Sequence, residues 1–208
     1  MTAATLDLDQ FASLKWVAPY ISSPNWIIKK RVRAAAGDEE ADIFNRETMC
    51  LNNGVQHWIE MYEKPSPGTT DIKKSISLCK FGTGLGGFIG MCHGGAAMTL
   101  MDEALGFAMI ASETERTGDW ATTSPSWKKL FAEGRPINEV LNGFMVTARL
   151  DIKFLKPVLC PGVVGIEVDV LENRGHKMKL RGVMKDANGV PLIQADGIWV
   201  RLGGASKI

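Results

Sequence analysis

Between Gly94 and Ala111 the chain reads GGAAMTLMDEALGFAMIA, with its two charges side by side at Asp102 and Glu103. A helix with apolar residues on every face is one that has to be covered. The spacing therefore predicts a buried central helix over 94–111, and the rest of the chain must wrap it. Gly94, Gly95, Ala96 and Ala97 are small enough to let a sheet close tightly over the helix start.

The wrapping is written mostly C-terminal to the helix. Residues 144–155 alternate, with Val146, Ala148, Leu150, Ile152 and Phe154 on one face and Thr147, Arg149, Asp151 and Lys153 on the other. Residues 163–171 alternate through Ile166, Val168 and Val170, and 177–184 through Met178, Leu180 and Met184. A last run covers 191–202. Turn residues separate these runs at Cys160-Pro161-Gly162, Asn173-Arg174-Gly175 and Ala187-Asn188-Gly189, the last a strong hairpin signal. Four such strands predict an antiparallel meander, and one buried helix against it is an α+β layout.

Upstream the pattern is weaker. Residues 1–20 read as a short amphipathic segment anchored by Leu6, Phe11, Leu14 and Trp16. Residues 26–33 read as a strand, followed by an acidic loop at 37–40. Residues 47–63 lean towards helix, and Ser75–Phe81 reads as a strand running into a glycine-rich turn. Residues 112–142 exceed the ~12–15 residues usual for a plain connection. They are expected as a surface insert, either a lid or a stretch carrying a short helix.

A chain of 208 residues, 45% hydrophobic and 23% charged, suits one globular domain over 1–208, with 1–70 as an N-terminal extension. The formal net charge of +1 supplies no field to collect nucleic acid or an anionic membrane. Cys50, Cys79, Cys92 and Cys160 form no C-x-x-C pair, so neither a zinc knuckle nor a redox motif is written here. The opening residues carry acids where a signal peptide carries bases, and no run approaches the ~20 apolar residues of a membrane span. The expected location is the cytoplasm, with no membrane insertion.

His93-Gly94-Gly95 stands where the helix begins. Backbone N–H groups there have no partner within the helix, and the dipole favours negative charge, so the site can hold an anion or a polarised carbonyl oxygen. The plain alternative is that the glycines let a strand pass closely. Asp102 lies eight residues after Gly94, about two turns on and on roughly the same face. An acid in such a helix is costly unless something uses or pairs it; a buried arginine is the structural alternative. Glu103 points about 100° away.

The run Gly90-Met91-Cys92-His93-Gly94-Gly95-Ala96-Ala97-Met98-Thr99-Leu100-Met101-Asp102-Glu103-Ala104-Leu105-Gly106 resembles the signature of the hotdog-fold acyl-CoA thioesterases. It is most similar to the branch with the phenylacetate-pathway and THEM-type enzymes, which carries H-G-G and an acid nine residues after the His. Residues Val146–Pro157 resemble the strand after the central helix in that branch, and the likeness covers roughly 75–202. It implies a hotdog fold, a long central helix wrapped by an antiparallel sheet. It also implies hydrolysis of an acyl thioester of coenzyme A or an acyl carrier protein. On this resemblance Asp102 activates water or attacks directly, Gly94 N–H holds the oxyanion, and Thr147 helps place the water or the carboxylate. His93 shapes the helix start; Gly95, Glu103, Lys153 and Lys156 are candidate substrate contacts, the lysines for the coenzyme phosphates. No metal and no cofactor beyond coenzyme A as part of the substrate is implied, and the partner is a second copy, in a homodimer or a dimer of dimers. Some relatives in that branch carry a polar amide several residues before H-G-G; here that stretch is Gly86-Gly87-Phe88-Ile89-Gly90, and the amide is missing.

Three other signals are weaker. Gly82-Thr83-Gly84-Leu85-Gly86-Gly87 satisfies G-x-G-x-x-G, but the dinucleotide fingerprint needs a helix opening within the glycines, and Phe88-Ile89-Gly90-Met91 does not look like one. Cys92 and His93 are adjacent and point apart on an extended chain, which rules out a thiol–imidazole pair between them. Six tryptophans without a basic stripe read as core and rim rather than base-stacking groups. The competing functions are a non-hydrolytic hotdog enzyme (dehydratase, isomerase or cyclase) and a non-catalytic acyl-binding module.

Overall fold

The computed structural model describes residues 7–31, 42–118 and 125–203, with backbone alone for 125–128. Leu6, Val32, Arg33 and the acidic loop at 37–40 lie outside the described residues. The seven strands are β1 (Trp26–Lys30), β2 (Val55–Glu63), β3 (Lys74–Phe81), β4 (Met145–Phe154), β5 (Gly162–Asn173), β6 (Lys177–Lys185) and β7 (Pro191–Arg201). They form one antiparallel sheet in the order β1-β2-β3-β5-β6-β7-β4. Helix α2 (Gly94–Thr117) touches every strand except β1 closely. An antiparallel sheet wrapped along one long helix is the hotdog architecture.

The central helix carries the core. Ala97, Leu100, Met101, Ala104, Leu105, Ala108 and Met109 are buried against Cys79, Ile166, Val168, Met178, Leu180, Met184, Ile193, Ala195 and Trp199. Gly182 of β6 sits where a Cβ would come within 3.1 Å of the Met101 methyl, so its lack of a side chain lets β6 lie close to the helix. α2 runs six residues beyond the expected end. Ser112, Thr114 and Thr117 hydroxyls donate back to carbonyls one turn earlier, and buried Glu113 accepts from Arg116 and Arg201. Gly118, at φ 88°, ends the helix by donating its N–H to Thr114 O.

Three expectations are corrected. Residues 55–63 are a strand, not a helix: Trp58, Glu60 and Tyr62 face α2 while Ile59 and Met61 face the other side, and all five are buried. A strand buried on both faces loses the apolar–polar alternation that reveals strands. The four C-terminal strands are not a simple meander either. β5, β6 and β7 are consecutive, but β5 pairs with β3 and β4 lies at the far edge beside β7. Residues 155–161 carry the chain across, bonded to the loop before α2 through Cys92 N–H to Val158 O and Cys160 N–H to Gly90 O. The third correction, in β4, belongs to the site.

Residues before β3 contribute more than an appendage. β1 and β2 are members of the sheet. The segment before β1, with short 3-10 turns and the one-turn helix α1 (Ala18–Ile21), buries Phe11, Leu14 and Val17 on the outer face against Ile59, Met61, Ile76 and Leu78. Trp16 partly packs there and donates its indole N–H to Asp186 O at 3.0 Å. Within 112–142 lie helix α3 (Pro125–Ala132) and the single turn α4 (Ile137–Val140).

Candidate active site

The α2 start is built by its cap. His93 has extended backbone, and its Nδ1 accepts the Gly95 N–H at 3.1 Å. A Cβ on Gly95 would sit 3.1 Å from that nitrogen, and one on Gly87 would sit 3.0 Å from His93 Cα. Both glycines therefore make room for the cap. Gly94 differs: a Cβ there would meet nothing nearer than Phe154 Cζ at 3.8 Å. Its N–H lies exposed with no acceptor among the described residues. Close strand passage is not the reason for Gly94.

Burial along α2 then becomes informative. Gly94 and Met98 are exposed, Asp102 and Gly106 half-buried. Steps of four residues place these on one stripe of the helix, the stripe the sheet leaves open. Gly94 and Asp102 share it. Their separation of eight residues at 1.5 Å rise puts the two Cα atoms ~12 Å apart along the axis. Side chains lean towards the N-terminus, which shortens that by only a few ångströms.

Asp102 accepts a hydrogen bond from Thr147 Oγ1 at 3.1 Å. The strand alternation had put Thr147 on the polar face, away from the core set; the structure turns it to the helix. In β4, Thr147 pairs with Trp199 and Arg149 with Ile198, leaving Ala148 as an extra residue. This β-bulge reverses the parity: Met145 and Thr147 face α2 before it, and Leu150 and Ile152 pack on the core after it. Burial raises the Asp102 pKa above the usual carboxylate value, the Thr147 hydrogen bond opposes the rise, and the neighbouring Glu103 charge adds to it. The result is a half-buried carboxylate whose proton affinity is increased, which suits a general base.

Glu103 belongs to a different environment. Its carboxylate accepts from Arg31 and, at 2.8 Å, from Asn45 Nδ2. The buried-arginine pairing considered for Asp102 is thus realised by its neighbour. Sequence reading missed Arg31 and Asn45; the signal was the acid pair itself, since two adjacent acids in an apolar helix need a partner for whichever is turned inwards. Lys153 and Lys156 are exposed on either side of Phe154, at the end of β4 that passes Gly94, and neither joins an ion pair among the described residues.

The other signals resolve similarly. Burial, together with the nearby Cys160, pushes the Cys92 thiol up to about 11, with the Ala97 N–H opposing, so at neutral pH it is a thiol and a poor nucleophile. Thr83–Leu85 is a 3-10 turn and no helix opens within residues 82–87, contrary to a dinucleotide site. Among the described residues no cluster of three His, Cys, Asp or Glu is arranged to hold a metal, and no helix is long and apolar enough to cross a membrane.

Known proteins with similar sequence or structure include the Verlamelin biosynthesis protein B of a Lecanicillium species. It is 22% identical over 211 residues, which span 96% of this chain and 90% of that protein. The Escherichia coli PaaI protein of the phenylacetic acid degradation operon superposes with a TM-score of 0.46 at 14% identity, covering 63% of this chain and 74% of its own. Zebrafish thioesterase superfamily member 2 does so with a TM-score of 0.46 at 16% identity, covering 69% and 81%. The family model described as the thioesterase superfamily matches residues 89–193, just over half the chain. That span opens in the loop before His93 and takes in the capped helix start, Asp102 and Thr147, and on this match the chain belongs to the thioesterase superfamily.

Proposed function

We propose that this protein hydrolyses an acyl thioester, carried on coenzyme A or an acyl carrier protein, with Asp102 as the general base. The observation that carries the reading is Asp102 itself: a half-buried carboxylate on the open stripe of α2, oriented by Thr147, with its pKa raised. Asp102 takes a proton from water as the water oxygen bonds to the thioester carbonyl carbon. The carbonyl oxygen becomes an oxyanion facing the Gly94 N–H at a helix start, where the dipole favours it. Collapse breaks the carbon–sulfur bond, the thiolate takes the proton from Asp102, and a free acid and a thiol leave. One water is consumed.

The ~12 Å axial separation of Gly94 and Asp102 means that one carbonyl cannot meet both within a single chain. The reading therefore includes a second copy, its helix antiparallel, so that Gly94 of one copy faces Asp102 of the other. Two features support that pairing. β4 is an edge strand, whose unpaired backbone groups can pair with another strand. Phe88, Ile89, Met98, Phe154, Leu155 and Leu159 are exposed around the helix start and β4, a grouping typical of an interaction surface. Lys153 and Lys156 stand at the mouth of this site to meet phosphates of the carrier.

The test is free-thiol release from a panel of short, long and aromatic acyl-CoAs. Turnover by the wild type that falls at least ~10²-fold in a folded Asp102→Asn variant is the expected result. A folded wild type that releases no thiol from any member would overturn the hydrolytic reading in favour of a non-hydrolytic reaction or simple acyl binding.

A further inference from the structure

Behind Asp102, on the inner side of the sheet, lies a polar cluster that the proposed mechanism does not use. Arg31, just past β1, donates from one guanidinium nitrogen to Glu103 and from another to Glu60. The nitrogen that reaches Glu60 also lies 3.3 Å from the Glu103 carbonyl oxygen. The other Glu60 oxygen accepts from Ser77 Oγ. Asn45 bridges Glu103 and Asp42 at 2.8 and 2.7 Å. The guanidinium lies over the Trp58 ring, 4.6 Å from its centroid. The Arg31 side chain is 10% exposed and that of Glu60 2%. Glu60 is thus taken out of water and Glu103, 21% exposed, partly so, both against one guanidinium, an arrangement whose desolvation cost is met only by close pairing.

We propose that Arg31 is a positioning residue for Asp102: by clamping Glu103 it holds the α2 turn that bears both acids and keeps a cation beside the carboxylate next to the base. This rests on Asp102 being the base proposed above. Glu103 is the covalent neighbour of Asp102, and its charge is one of the influences that raise the Asp102 pKa, after burial and against the Thr147 hydrogen bond. A paired Glu103 repels a second negative charge less than an unpaired one. Arg31 therefore limits how far Asp102 is pushed up, and Arg31 has the fork to engage Glu60 and Glu103 at once where a lysine has a single point charge.

The groups on the elements around Asp102 leave the Arg31 cluster as the principal electrostatic lever. β4 presents Thr147 and α2 presents Glu103; β2 and β3 present Glu60, Ser77 and Cys79; the 42–50 segment presents Asp42 and Asn45; the helix start presents Cys92 and His93. β5, β6 and β7 turn apolar residues to the helix, including Ile166, Leu180 and Ile193. Glu113 and Arg201 lie at its far end.

The experiment is a carbon-13 NMR titration of the aspartate side-chain carboxyls in the full chain, with the Asp102 signal assigned from Asp102→Asn. Glu103→Gln removes the neighbouring charge and is expected to move the Asp102 midpoint to lower pH by roughly half a unit or more. Arg31→Gln uncovers that charge and is expected to move it to higher pH by a similar amount. The acid limb of kcat/KM should follow the same order. Should Arg31→Gln fail to fold, Arg31→Lys takes its place: a single point charge cannot span Glu60 and Glu103 together, and the Asp102 midpoint is expected to move to higher pH, though by less. Unmoved midpoints would overturn the inference even if both variants lost activity, because a merely structural cluster lowers rates without moving the midpoint. Unmoved midpoints beside an inactive Asp102→Asn reject this inference and leave the hydrolytic reading standing. Ordered midpoints beside an undiminished Asp102→Asn reject Asp102 as the base, and with it the positioning role of Arg31, leaving only an electrostatic coupling of the two carboxylates.

Discussion

At the scale of single residues, Asp102 carries a stability cost as well as a proposed role. Burial raises its folded pKa above the unfolded value of about 3.9. Below that pH the group is protonated in both states and contributes nothing. As the pH rises through the unfolded value and then the folded one, ionisation favours the unfolded chain and stability is lost. Asp102→Asn removes the charge and keeps an oxygen to accept from Thr147. Its urea midpoint should lie above the wild type at pH 7, and the two should converge as the pH falls to about 4. A variant that gains stability while losing turnover is what a strained functional group predicts. Asp102 was legible in the sequence because a charge in an apolar helix is conspicuous. Its eight-residue spacing from Gly94 and the family resemblance both pointed it towards the site, with Glu103 about 100° away. What the sequence did not show was the group that claims Glu103: Arg31, from 72 residues away.

At the scale of elements, the N-terminus of α2 depends on an unusual cap. His93 stands where Ser, Thr, Asp or Asn is commonest, and Gly95 leaves room for its ring. His93→Ala should cost about 1 kcal/mol in a denaturation midpoint, and His93→Ser should recover most of it. A full recovery of stability by alanine alone would show that the Gly95 bond contributes nothing. The helix was readable from composition and spacing, and so were β5, β6 and β7, each with one buried face. β2 was not. Its Trp58–Tyr62 run is covered by α2 on one side and by the N-terminal segment on the other, so the alternation that marks a half-exposed strand is absent. The Ala148 bulge was equally hidden, because nothing local in a strand's sequence announces an extra residue opposite a single partner.

At the scale of the whole molecule, the N-terminal segment acts as a lid on the outer face of β1–β3. Phe11 is fully buried there, and Phe11→Ala should destabilise the fold by about 3–5 kcal/mol, a large fraction of the stability of a domain. Chemical denaturation measures it; a change under ~1 kcal/mol would mean the face is covered in some other way. A two-copy site makes a sharper prediction. Chains bearing Gly94→Pro, which removes the backbone N–H at a first helical position that tolerates proline, and chains bearing Asp102→Asn should each be inactive alone, yet regain thioesterase activity when unfolded together and refolded as mixed dimers. An intact Gly94 then faces an intact Asp102 in one of the two sites. A site contained within one chain would stay inactive in every mixture.

The sequence by itself determined the central helix, the period of the half-exposed strands, the glycine start of the helix and the acid pair, because helix and strand periodicity and the cost of burying a charge are local and read residue by residue. The tertiary structure decided the rest. β4 sits at the edge and not beside β5, Thr147 turns inwards through a one-residue bulge, Glu103 is claimed by Arg31, and Asp102 is left on the open stripe. Each of these depends on which distant segments pair, and a shift of one residue in a strand sends every following side chain to the opposite face.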